Sequence, residues 1–453
     1  MTELRWSPTD LPVEKAAESI SAAVSEAGSL VLTAEPGAGK SSLVPLIVAN
    51  RVPGRVVLLQ PRRLAARATA HRLADLLGEA LGNRVGLTIR GERNVSPRCR
   101  IEVVTEAVLT NRLLNDAELP GVGTVVFDEF HERSVNADLG LGMALESRSL
   151  LRPDLAVVAM SATIDGAPLA QLMGGAPVVA VEGRTFPVET VHHHRPDRRS
   201  WATATADVTR RALAQRDGDA LVFVPGRGEV SRVCRELKGC GAEVFGLHGG
   251  TPADEQRRIL AASTDRRVIV ATAIAETSVT VPGVTIVIDG GLARRPRFDP
   301  ASGLGALETV FVPRFGADQR RGRAGRIEPG ICHRLWSVED ERHLDQAFAP
   351  EIRAGDPLPL ALSLTQWGDP LAADLPLLDH PGSHRLELGQ RSLEALGIVD
   401  TKGRLSALGH ATARLPVHPR IGVALVMARK LDQASALTRR LAAVEDGLRL
   451  PTI

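Results

Sequence analysis

Short apolar runs recur along the first three quarters of the chain. Each is followed by a turn and then by a stretch with apolar residues at helical spacing. "LVLTAEPGAGKSSLVPLIVA" passes from an apolar run at 30–33, through a glycine-containing loop, to a helix pattern from Ser41. "RVVLLQPRRLAARATAHRLADLL", "GTVVFDEFHERS" and "LAVVAMSAT" continue the alternation of strand and helix. A second series begins after residue 200 with "DALVFVPGRGEV", "AEVFGLHGG" and "RRVIVATAIAETSVTVPGVTIVIDGG". Apolar strands alternating with amphipathic helices predict parallel α/β sheets, here in two lobes. "RRPRFDPASGLGALETVFV" has two strand-like runs around a glycine-rich turn and predicts a hairpin. Beyond about residue 346 the pattern changes to short helices, with a turn at Lys402–Gly403.

The loop between the first strand and its helix comprises Ala34, Glu35, Pro36, Gly37, Ala38, Gly39, Lys40 and Ser41. Gly37 and Gly39 allow backbone N–H groups to curl around a phosphate, Lys40 reaches the outer phosphates, and the Ser41 hydroxyl suits Mg²⁺. Ala34 occupies a position where glycine is commoner, and a glycine-rich surface turn is the plain alternative. The run at 125–127 ends in Asp128 and Glu129, suited to hold Mg²⁺ and to polarise an attacking water. Near residue 320 the chain reads "DQRRGRAGR". That patch must face an anion: a polymer's phosphates, a nucleotide's, or the counterions of solvent. The second lobe has no phosphate loop of its own, so its arginines are expected to complete the first lobe's site across a shared cleft. On that reading the anion is the γ-phosphate.

Composition narrows this further. A chain of 453 residues implies about two to four domains. Its 44% apolar and 24% charged residues are ordinary for a globular protein. No apolar run of about 18 residues occurs, and the first residues lack a secretory pattern, so cytoplasmic placement is expected. A formal net charge of +2 neither favours nor opposes a polyanionic partner. The four cysteines are scattered and predict neither a zinc site nor a disulfide framework. The triplet His192–His194 has no companion ligands at metal spacing and reads as a linker.

Taken in order, "AEPGAGKS", "QPRR", "VVTEAVL", "DEFH", "SAT", "LVFVPG", "TAIAETSVT" and "QRRGRAGR" resemble the motifs of a DEAH-box helicase of superfamily 2. "DEFHERSVNADLGLGMAL" resembles the bacterial HrpB-type ATP-dependent RNA helicases in particular. The resemblance implies two RecA-like P-loop NTPase lobes at 1–187 and 188–345, a winged-helix-like module at 346–420 and the start of a helical bundle at 421–453. Relatives continue past that point, so the chain is expected to be shortened and to unwind duplex poorly.

The same resemblance assigns further roles. His131 and Gln319 would couple the lobes, with Gln319 placing the lytic water, and Arg323 and Arg326 would act as arginine fingers. Ser161 and Thr163 would link the nucleotide site to the nucleic-acid face. Arg62, Arg63, Arg90, Thr105, Glu106, His248 and Thr272 would grip single-stranded RNA, mostly through its backbone, with DNA still open. Arg72 would stack on adenine, with Leu260 where an aromatic is usual, and Ala273 replaces a common asparagine. The implied function is an RNA-stimulated ATPase and helicase using Mg-ATP. The alternatives are a nucleotide-regulated RNA clamp that separates no strands and, less compatible with two lobes, a small-molecule kinase.

Overall fold

The computed structural model describes residues 3–430 except 36, 163–165, 184–185, 198, 277–280 and 300–303. Pro36, Thr163 and all but the first ten residues of the bundle expected at 421–453 therefore lie outside the described residues. The first lobe is built on eight strands: β1 (Ser29–Ala34), β2 (Arg55–Gln60), β3 (Val85–Ile89), β4 (Glu92–Asn94), β5 (Ile101–Thr105), β6 (Val122–Phe127), β7 (Ala156–Ser161) and β8 (Val178–Val181). They lie in the order β4-β3-β5-β2-β6-β7-β1-β8, and every pair is parallel except β3–β4. Helices cover both faces, which is why β6 and β7 are buried along their whole length and read as unbroken apolar runs.

This order places the chemistry. Strands β6, β7 and β1 are neighbours, so the residues after their C-terminal ends share one edge: Asp128 after β6, Ser161 at the end of β7, and the glycine loop after β1. Ligands of open parallel sheets bind at that edge.

The second lobe has β9 (Val188–His192), β10 (Asp219–Phe223), β11 (Glu243–Leu247), β12 (Arg267–Ala271), β13 (Val284–Asp289) and, after the hairpin, β16 (Gly330–Arg334). These form an all-parallel sheet in the order β11-β12-β10-β13-β16-β9. The expected hairpin is β14 (Leu292–Asp299) with β15 (Leu304–Phe311), antiparallel from Leu292↔Phe311 to Asp299↔Leu304. The arginine stretch follows as the helix Arg314–Gly322 and a single turn, Arg323–Gly325, before β16.

Arg267 pins this second sheet from inside. Its Nε donates to Asp219 Oδ2 at 2.8 Å, and its Nη atoms donate to the carbonyls of Ile259, Ala261 and Pro282. Removing one partner of so buried a pair strands the other charge. We therefore expect Arg267→Ala to destabilise this lobe by about 3–5 kcal/mol, read as an earlier urea transition.

After the second lobe come helices Pro357–Trp367, Ser383–Ala395, Ala407–Ala413 and Pro419–Lys430. Asp356 caps the first of them by accepting from Leu358 N at 2.9 Å, and Gly368, left-handed at φ 103°, closes it. Ile352, Leu360, Leu364, Leu375 and Leu386 pack into one cluster with Leu109, Phe127 and Met143 of the first lobe. A smaller cluster of Leu358, Leu393, Ile398 and Val399 gives the module a core of its own.

Candidate active site

The glycine loop leaves β1 at Ala34 and enters the helix Lys40–Ala49. Gly37 and Gly39 have φ of 89° and 95°, a region that L side chains rarely adopt. A Cβ on Gly39 would also stand 2.9 Å from Leu11 Cβ, so only glycine fits beneath the N-terminal segment. Lys40 is buried, and its Nζ donates to the Ala34 carbonyl at 2.6 Å, folding the ammonium back into the loop.

Asp128 accepts from Gln60 Nε2 at 2.6 Å and from Glu129 N at 2.9 Å. Burial, and then the Glu129 carboxylate, push its pKa up to about 6; Lys40, the Ser41 hydroxyl and Gln60 oppose that shift. Gln60 is a functional candidate the sequence reading left unassigned. Its signal was a polar residue ending an apolar strand, and the pairing of β2 with β6, Leu59 opposite Phe127, places it beside Asp128. Its buried Oε1 has no hydrogen-bond partner among the described residues. A hydroxyl, a carboxylate and a spare amide oxygen form an all-oxygen donor set, which fits a hard divalent cation such as Mg²⁺.

Glu129 sits in the left-handed region at φ 51° and is buried. Burial favours its neutral form, but Lys40, His131, Arg323 and Arg326 together hold its carboxyl below the usual range. His131 Nε2 lies 3.5 Å from Glu129 Oε2, Nδ1 accepts from Ala162 N at 3.3 Å, and the ring meets Phe315 of the second lobe edge-on at 5.4 Å. Burial lowers the His131 pKa, which favours the neutral ring. The side chain thus touches β6's end, β7's end and the opposite lobe at once.

The second lobe carries Gln319, Arg323 and Arg326 on the arginine stretch: Gln319 is buried in its helix, and Arg323 and Arg326 lie near the Glu129 carboxylate. The four arginines are not equivalent. Arg320 is fully buried between Glu276 (3.0 Å) and Asp289 (2.8 Å) and belongs to the lobe's interior. Arg321 is half exposed, 3.7 Å from Asp318. Arg323 Nε donates to the Glu276 carbonyl at 2.8 Å. Burial lowers the pKa of both Arg323 and Arg326, while the nearby Glu129 charge raises them. Beside this cluster, Ser7–Pro12, Gly37, Arg72, Asp75, Leu76 and Arg326 line a cavity of about 560 Å³ that draws on both lobes. Leu260 is not among its lining residues; it packs against the core of the second lobe. Ser161 is buried at the end of β7.

The remaining sequence-predicted residues lie at C-terminal strand ends, some in the first lobe's sheet and some in the second's. Arg90 follows β3, Thr105 ends β5 and Arg62–Arg63 follow β2, on three neighbouring strands; His248 and Thr272 follow the adjacent β11 and β12. Arg63 and Arg90 are exposed. His248 Nδ1 accepts from Gly250 N at 3.0 Å, and Thr272 N donates to the Leu247 carbonyl at 3.1 Å. Arg62 is engaged within the protein: it pairs with Glu132 at 3.0 Å and donates across the cleft to the Ala273 carbonyl. That contact uses the backbone of Ala273, so alanine in place of asparagine does not remove it.

Glu106 is likewise turned inward, accepting from the Ser134 hydroxyl. Burial, with Glu132, Glu351 and Asp138 nearby, pushes its carboxyl up to about 8, against the Ser134 hydrogen bond. It is therefore neutral in the fold at pH 7 and ionised in the unfolded chain. Unfolding releases its proton, so stability falls as pH rises from about 4.5 to about 8. Glu106→Gln, neutral at every pH, should flatten the decline of Tm across that window.

Two stacked parallel lobes, a phosphate-type loop on one and cleft-facing arginines on the other define the class of the DEAD/DEAH-box helicases. Residues 14–172 match the DEAD/DEAH box helicase family and residues 204–328 match the helicase conserved C-terminal domain; the chain belongs to this family. Within it, the chain is 40% identical over 449 residues to the ATP-dependent RNA helicase HrpB of Escherichia coli (strain K12), covering 98% of this chain and 55% of HrpB. It is 32% identical over 441 residues to the ATP-dependent RNA helicase HrpA of the same organism, covering 93% of this chain and 34% of HrpA. The crystal structure of the E. coli DEAH/RHA helicase HrpB superposes with a TM-score of 0.91 over 98% of this chain and 57% of that one. The chain thus spans little more than half the length of HrpB and a third of HrpA.

Proposed function

We propose that this chain is the motor of an ATP-dependent RNA helicase, hydrolysing ATP to ADP and phosphate under stimulation by single-stranded RNA. One observation carries the proposal: the ionised Glu129, from the first lobe, lies among Lys40 of its own lobe and Arg323 and Arg326 of the other. A carboxylate so placed can take the proton of a water attacking the γ-phosphorus while cations from both lobes stabilise the charge released as the β–γ bond breaks.

In this reading the loop from Ala34 to Ser41 cradles the phosphates, and Arg72 meets the base in the cavity it lines. Gln319 orients the water, and neutral His131 links Glu129 to the Ala162 backbone and to Phe315. Ser41 and Asp128 would hold Mg²⁺, which when bound neutralises phosphate charge. Ser161 and Thr163 carry the state of the site toward the strand ends. There Arg63, Arg90, Thr105, His248 and Thr272 would meet a single strand, and Arg62 and Glu106 would support that face from within. DNA is a second possible polymer, because backbone contacts discriminate chiefly through the 2′-hydroxyl.

We assign residues 1–187 and 188–345 to the two RecA-like lobes, 346–420 to a winged-helix-like module and 421–453 to the start of a helical bundle, and place the protein in the cytoplasm. No helix among the described residues is long and apolar enough to cross a membrane.

The test is the ATPase rate against a panel of single-stranded RNA and DNA, followed by displacement of a tailed duplex. RNA-stimulated hydrolysis is expected. A rate indifferent to every polymer would overturn the motor reading. Stimulation without displacement would make the chain a nucleotide-regulated clamp.

A further inference from the structure

The turn that presents Glu129 and His131 is bounded by two left-handed non-glycine residues, Glu129 at φ 51° and Arg133 at φ 50°. Such residues are costly and persist only where the surroundings over-determine them. Part of what surrounds this turn comes from neither domain that matches the helicase families, since those matches end at residue 328. Arg133 forks onto Asp138 of its own lobe (2.9 and 3.3 Å) and reaches Asp379, far along the chain, at 2.7 Å. Its carbonyl accepts from Glu351 N at 3.1 Å. The Glu351 carboxylate in turn accepts from Val135 N at 3.0 Å, at the start of the helix that follows the turn.

The segment carrying Asp379 is seated closely. A Cβ on Gly142, in the helix Val135–Leu150, would stand 2.8 Å from the Pro376 carbonyl and 3.1 Å from Leu375 Cγ. Leu375 is buried in the first lobe's cluster, with Leu377 and Leu378 packed against it. Gly142 therefore admits the segment, the leucines fix it, and Asp379 is delivered to Arg133.

We propose that Asp379 and Glu351, from the module beyond the motor, brace the Glu129–Arg133 turn, and that Arg133 and Asp379 are positioning residues for hydrolysis acting through that turn's backbone. The brace ties the hydrolytic carboxylate to the module, so displacement of the module releases the turn. Its effect on turnover rests on the function proposed above; its effect on the turn does not.

The experiment uses the full chain and three variants, Asp379→Ala, Asp379→Asn and, as a control on the same module, Asp400→Ala, which removes an exposed pair with Arg404. Hydrogen exchange of the 129–134 amides is measured beside ATP turnover and Tm. We expect Asp379→Ala to speed exchange in this turn and to lower kcat about tenfold, the factor that follows from relaxing one strained residue. KM for ATP should stay within about twofold. Asp379→Asn, which keeps an acceptor for Arg133, should fall between; Asp400→Ala should match wild type. Exchange and kcat in Asp379→Ala equal to wild type would overturn the proposal. So would faster exchange throughout the chain with a general fall in Tm, which marks a structural role only. Asp379 is 27% exposed, so its loss should be tolerated; if Asp379→Ala does not fold, Asp379→Asn is judged by the same criteria. A wild-type chain without turnover would remove the proposed function and leave exchange to decide the brace.

Discussion

Replacing Glu129 with glutamine should leave Mg-ATP binding near its wild-type level and slow turnover by about 10²–10⁴. Lys40, Ser41 and Asp128, the groups that would hold the phosphates and the ion, are untouched. What is lost is a carboxylate that cations from both lobes hold ionised. The amide is isosteric and cannot accept the water's proton. Equilibrium binding of a fluorescent ATP analogue, paired with single-turnover hydrolysis, separates the two effects. Unchanged turnover would remove Glu129 from the site and weaken the whole functional reading.

The second large effect belongs to the arginines. Arg323→Ala or Arg326→Ala should each lower turnover by about 10³ or more, the usual contribution of an arginine finger. RNA affinity should change little. A collapse of RNA binding and of its salt dependence, with basal hydrolysis intact, would instead make the patch a polymer site. The structure supplies a contrast within the same stretch. Arg320 is locked between Glu276 and Asp289, so Arg320→Ala should act through stability, by stranding two carboxylates in the interior.

The strand–helix alternation was legible because strands buried on both faces must be apolar throughout; β1, β6 and β7 announce themselves. The loop at 34–41 and the acidic pair at 128–129 were legible for a similar reason, since polar residues at the end of an apolar strand have no role in its packing. Pairing across distance was not legible. Nothing in "LLQP" says that Gln60 meets Asp128; that follows from β2 lying beside β6. Two of the residues expected from the sequence to grip RNA, Arg62 and Glu106, stand at the expected strand ends but turn inward, to Glu132 and Ser134. Linear spacing fixes a residue's place on an edge and leaves its side-chain direction open. Asp379 and Glu351 lie more than 200 positions from the turn they touch, in a stretch without any motif.

The N-terminal segment has a practical consequence for anyone handling this protein. Leu4 is buried, its N–H donates to Asn50 Oδ1 at 2.8 Å, and a few residues later Ser7–Pro12 form one wall of the cavity shared with Arg72 and Arg326. Deleting the residues up to Pro12 would therefore remove a wall of the chamber where a nucleotide base is proposed to sit. It would also take away Leu11, which packs over Gly39 of the glycine loop. Nucleotide affinities are best measured on a chain that keeps this segment whole.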